Sequence, residues 1–146
     1  MIKQKSVSFV ISKITTEQFA IIEENYSKEG GTTLGTNLRF VAVPDHTTIA
    51  FFAAFTFESD KKPFIIIEAG CHFSIQQEDW TEMINDETKS LTIPKGFLNH
   101  LAMLTIGATR GILHAKTENT SFNTFVVPAI NLSDLIHEDA VISLIK

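Results

Sequence analysis

Five histidines, one cysteine and a scatter of carboxylates are the residues of this chain whose types suit chemistry. His46, His72, His100, His114 and His137 form no H-x-x-x-H pair of the kind that sets two zinc ligands on one helix face. Glu68 and His72 stand four apart in a strand pattern and share a face, but two ligands do not define a zinc or iron site. Cys71 and His72 are neighbours that a strand points to opposite faces, which argues against a thiolate–imidazole pair. Gly30-Gly31-x-x-x-Gly35 lacks the G-x-G-x-x-G spacing and leads into no P-loop Lys-Ser/Thr, so it is a loop and not a phosphate cradle. Glu78, Asp79, Glu82, Asp86 and Glu87 make a carboxylate-rich stretch, most simply a solvated helix and loop, without a matched acid and base. The expectation is a protein that is not an enzyme, with no metal and no cofactor.

The elements that position these residues follow from hydrophobic period. Val7, Phe9 and Ile11 alternate with Ser6, Ser8 and Ser12, and the pattern resumes at Phe19–Ile22 after a polar step, Thr15–Gln18, that a bulge or bend would explain. A polar, Gly-containing loop spans Glu23–Gly35. Leu38, Phe40 and Ala42 then alternate with Arg39, Val41 and Val43, and Pro44-Asp45-His46 turns the chain. From Thr48 to Glu58 both faces are largely apolar: Ile49, Phe51, Ala53, Phe55 and Phe57 on one, Ala50, Phe52 and Ala54 on the other. Ser59–Pro63 turns again, and Phe64–Ile75 makes a fourth strand. Short connections favour an antiparallel sheet.

After Ile75 the period changes. Gln76–Ile84 is amphipathic around Trp80, and a charged loop follows over Asn85–Ser90. Pro94 suits the first turn of a helix carrying Phe97, Leu101, Leu104, Ala108 and Ile112 to about Lys116. Thr117–Asn123 is polar loop, Phe125–Ile130 is extended, and Ser133 or Asp134 caps a last helix to Lys146. The expected fold is α+β in a single domain over 1–146. Within the long helix, Gly107 and Gly111 share a face with Leu104 and Ala108. Such a stripe admits a close backbone, either the chain's own sheet or a helix of another subunit.

Composition narrows the classes further. The chain has 146 residues, a net charge of −5 and no basic cluster, so nucleic acid is not an expected partner. The 44% hydrophobic content excludes intrinsic disorder. No apolar run reaches about 18 residues, and Met1–Ser6 lead into no signal-peptide core, so no membrane insertion is expected. A lone cysteine forms no intrachain disulfide, and the expected compartment is the cytoplasm. Twelve Phe against one Trp and one Tyr leave nearly all large rings without a polar handle, fit for a core, an apolar groove or a subunit interface.

Several stretches, in unbroken order over most of the chain, resemble the SecB family of bacterial export chaperones and its SecB-like relatives. Phe9-Val-Ile-Ser-Lys-Ile14-Thr-Thr-Glu-Gln-Phe19 is similar to the family's first strand and kink. Glu68-Ala-Gly70-Cys-His-Phe73-Ser-Ile75 resembles the end of its fourth strand. Leu91-Thr-Ile-Pro94 resembles its helix start, Thr109-Arg110-Gly111 its helix end, and Phe125-Val-Val-Pro128-Ala-Ile-Asn131-Leu132 the segment before its last helix.

The resemblance implies a SecB-like fold: a four-stranded antiparallel sheet packed against a long helix and a C-terminal helix, assembled as a dimer of dimers, a homotetramer. It implies an ATP-independent holdase chaperone that binds non-native polypeptide clients in apolar grooves, with a link to protein export and transport. Phe52, Phe57, Phe73 and Phe125 are the candidates for the groove, and Leu104, Gly107, Ala108 and Gly111 for the oligomer interface. Where the family pattern puts acidic residues that dock the translocase motor, this chain has Gln18, Ile22 and Ile66, which puts that docking in question. The stretch from Pro94 to Pro128 is also longer than the family's norm. The alternative is a dedicated protein-interaction module for one folded or antitoxin-like partner.

Overall fold

Alternating side chains build the first half into strands, as their period requires. The structure, a computed structural model, describes residues 6–131 and 136–145. Strands β1 (Phe9–Ile21), β2 (Thr33–Val43), β3 (Thr48–Ser59) and β4 (Lys62–Ile75) pair antiparallel in the order β1-β4-β3-β2. Three strands in hairpin succession, with a long connection that sets β1 beside β4, make a Greek key. The polar step in β1 is no interruption. Register shifts between Ile11 and Lys13 and between Thr16 and Gln18 absorb extra residues as bulges, and the strand runs on. The β3–β4 turn is two residues long, with Asp60 (φ 51°) and Lys61 (φ 68°) both left-handed, the backbone that matches strand twist.

The second half is less helical than its sequence suggests. Helix α1 (Gln77–Glu82) buries Trp80 as expected. The charged stretch after it is a hairpin of β5 (Ile84–Asn85) and β6 (Ser90–Ile93). Helix α2 runs over Lys95–Thr117 behind Pro94. The expected C-terminal helix is corrected: residues 140–143 form β7 (Ala140–Ser143), antiparallel to β6, with Leu91 opposite Ile142. Val141 and Ile142 are β-branched, and burial alternates along Ala140–Ser143, so period two prevails once β6 offers an edge. The cap candidates Ser133 and Asp134 lie outside the described residues.

The core lies between α2 and the inner face of the sheet. Ile49, Phe51, Ala53, Phe55 and Phe57 of β3 and Ile65, Ile67, Ala69, Cys71 and Phe73 of β4 are all buried there. Burying each large side chain contributes about 1.5–3 kcal/mol. The helix face that meets them differs from the expected stripe. It carries Leu98, Leu101, Ala102, Thr105, Ile106, Thr109, Leu113 and Thr117, while Phe97, Leu104, Ala108 and Ile112 are only half-buried. Three buried threonines are tolerated because each donates its hydroxyl to a carbonyl one turn back: Thr105 to Leu101 (2.8 Å), Thr109 to Thr105 (2.8 Å) and Thr117 to Leu113 (2.9 Å).

Candidate functional site

The position of α2 decides where apolar surface is left over. The helix packs on β3 and β4, so the inner side chains of β2, Leu34, Leu38, Phe40 and Ala42, stay half-buried. Residues 136–140, leading into β7, stand opposite them. Between the two lies a groove of about 450 Å³ whose apolar lining comes from Leu38, Phe40, Phe51, Leu98, Ile136 and Ala140. Thr36, Asn37, His137, Glu138 and Asp139 contribute its polar lining. Its outer wall is held at the end that enters β7. β7 pairs with β6, and the Asp139 carboxylate accepts the main-chain N–H of Lys95 at 2.8 Å. That bond satisfies one orphan donor of α2, whose own N-cap, Pro94, supplies no side-chain acceptor.

The four groove candidates fall in three places. Phe57 and Phe125 meet at 5.9 Å between ring centroids, in a cluster with Tyr26, Phe64 and Phe122. Phe122 lies within the 3₁₀ turn Ser121–Thr124 and Phe125 directly follows it, so the chain's own loop fills this end of the sheet. Phe73 lies at the other end, edge-on to Phe9 at 5.6 Å, and Phe9 in turn touches Phe97. Phe52 is on the opposite, outer face. The Arg39 guanidinium lies 3.9 Å above its ring and bonds both oxygens of Glu68 at 3.3 and 3.4 Å. Gly70 makes room for that ring: a Cβ there would sit 2.6 Å from Phe52 and 2.9 Å from the Thr15 hydroxyl.

The four interface candidates share one side of α2. Leu104 and Ala108 are half-buried, Gly107 and Gly111 exposed. A Cβ on either glycine would meet nothing within 4 Å, so packing on the chain's own sheet does not require them. At the free edge of the sheet, Ile11 and Ile14 occupy inner-face register opposite Phe73 and Cys71, yet are 45% and 55% exposed because the helix lies over other strands.

The polar residues are mostly accounted for by one another. Glu68 and His72 do share the outer face, but Glu68 is engaged by Arg39. Cys71 is buried on the inner face; burial pushes its thiol up, and a hydrogen bond with the Thr105 side chain opposes this in part. Among the described residues, no three of His, Cys, Asp and Glu gather to hold a metal, and no helix is long and apolar enough to cross a membrane. Arg110 donates to the carbonyls of Val127 (2.7 Å) and Pro128 (2.8 Å) and ties the extended stretch after Phe125 to α2, a role its spacing does not announce. The groove wall at Ile136–Ala140 was equally hidden, since no local signal marks a segment as opposite β2. No protein-family model and no curated protein matches the chain.

Proposed function

We propose that this chain is a SecB-like, ATP-independent holdase that binds non-native polypeptide in the apolar groove beside β2. The observation that carries the reading is that groove: half-buried Leu38 and Phe40 facing Ile136 and Ala140 across about 450 Å³, with no side chain of the described residues filling it. A non-native chain exposes apolar side chains, and an apolar groove accepts them with little demand on sequence. The four-stranded antiparallel sheet with a long helix on one face is compatible with the resemblance. On the same reading, copies associate through the open side of α2 at Leu104, Gly107, Ala108 and Gly111, as a dimer of dimers in the cytoplasm. Two glycines that cost a helix about 1 kcal/mol each, and that no packing among the described residues requires, support that contact.

The groove's size favours a second reading as well. Most of the large rings, Phe51, Phe55, Phe64 and Phe73 among them, are spent on the core, and what remains suits a short segment better than a long wrapped client. A dedicated module for one partner would use such a groove. The deciding experiment dilutes a chemically denatured reporter into stoichiometric amounts of the protein without ATP and follows light scattering. Suppressed aggregation is expected. Unchanged aggregation beside a folded protein would refute general holdase activity and favour the single-partner module.

A further inference from the structure

The geometry points to strand addition as the mode of binding: an extended polypeptide segment pairs its main chain with the free edge of β2 and sends alternate side chains into the adjoining groove. This rests on the groove being a polypeptide site, and it specifies what the groove's occupant must look like. An edge strand presents a row of unpaired N–H and C=O groups that templates another strand unless something blunts it. The two edges of this sheet differ in that respect. β1 carries two bulges, with Lys13 between them. β2 has neither device. Its register with β3 runs uninterrupted from Thr33–Glu58 to Val43–Thr48, and it contains no proline.

The single charge on β2, Arg39, is turned onto the outer face, where Phe52 and Glu68 hold it away from the edge. Among the described residues, no strand pairs with the outer side of β2, and no loop backbone hydrogen-bonds to it. The groove opens along Thr36–Phe40 of the same strand, on the inner face. At about 3.3 Å per residue, a strand laid there places two or three inward side chains beside Leu38 and Phe40. The occupant is therefore an extended segment with apolar residues at alternate positions. Glu138 and Asp139 in the groove lining, on a chain of net charge −5, favour a basic residue at its flank.

The test uses the full chain and a short synthetic peptide in which Val and Ile alternate with Thr, with Lys at each end. Two further peptides have the same side chains but are N-methylated at one or the other alternate set of amides. Fluorescence polarisation reads binding, and amide exchange by NMR reads β2. One methylated form should bind at least about tenfold more weakly, through lost main-chain hydrogen bonds and the steric bulk of the methyls, while the other stays close to the parent. The parent should protect the alternate amides of β2 that point away from β3. Equal binding of all three peptides would overturn strand addition and leave the groove reading standing. Failure of all three to bind would overturn both. Outward-pointing β2 amides, those not bonded to β3, already protected in the free protein by a second copy or by the chain's own C-terminal part would also overturn it.

Discussion

Replacing Gly107 by Leu separates the open face of α2 from the folding of the single chain. The residue sits inside a helix of 23 residues, is exposed, and has nothing within 4 Å of the position its Cβ would take. The single chain should therefore gain the propensity difference, about 0.8 kcal/mol. For a chain of this size that is a rise in Tm of about 2–3 °C. A contact between copies responds in the opposite sense. A Leu forced into a face shaped by glycine costs about 1–3 kcal/mol per side chain. Each Leu at the contact lowers the association constant by about 5- to 150-fold. Sedimentation velocity over a concentration series, with circular dichroism on the same samples, reads both effects. The expected result is unchanged helix content with a fall in native mass. A variant whose mass matches the parent while its single-chain stability rises would refute the interface, as would a parent that is monomeric throughout.

Three other perturbations follow from particular contacts. Gly70→Ala puts a methyl 2.6 Å from the Phe52 ring and should destabilise by about 1–3 kcal/mol in urea denaturation; no loss would mean that the Arg39–Phe52 stack is not fixed as described. Asp139→Ala removes an acceptor from the first turn of α2, costing about 1 kcal/mol, and should speed amide exchange in the 136–140 wall; unchanged exchange there would show that the wall is held by β7 alone. Cys71 predicts an alkaline effect. Its folded thiol titrates above its ordinary value of 9.0 because burial disfavours the thiolate. Below that value both states keep the proton and the stability is fully present. Above it the unfolded chain ionises first, and stability is lost as pH rises through the folded value. The loss of stability from about pH 8 to about pH 10 should be smaller in Cys71→Ala than in the parent, and equal losses would contradict the assignment.

Strands were legible because alternation is a local signal. Ile49, Phe51, Ala53, Phe55 and Phe57 take the inner face of β3 that their spacing assigns, and Cys71 and His72 point to opposite sides of β4. The inner stripe of α2 is not legible locally, because Thr105, Thr109 and Thr117 look polar in the sequence. Their hydroxyls donate to the helix's own carbonyls, which lets these residues lie on the buried face. β7 was hidden for a different reason. Val141 and Ile142 fit a helix or a strand in so short a run, and only the tertiary edge of β6 decides between them. The groove illustrates the same limit. Alternation sets Leu38 and Phe40 on one face, but that α2 leaves them uncovered, and that Ile136 and Ala140 come to lie opposite, depends on chain reversals no local pattern encodes. Phe57 and Phe125 were legible as apolar and come together, though it is the chain's own loop that occupies their end of the sheet.

The most direct test of the groove as a site for non-native polypeptide is photocrosslinking from defined positions. A photoreactive amino acid is placed at Thr36, which is exposed and lines the groove, or at Thr56, which lies on the opposite face of the sheet. Each variant is mixed with a denatured reporter and irradiated. Crosslinks from position 36, with few from position 56, are the predicted result. Equal yields from the two positions, or crosslinks from position 56 alone, would contradict it.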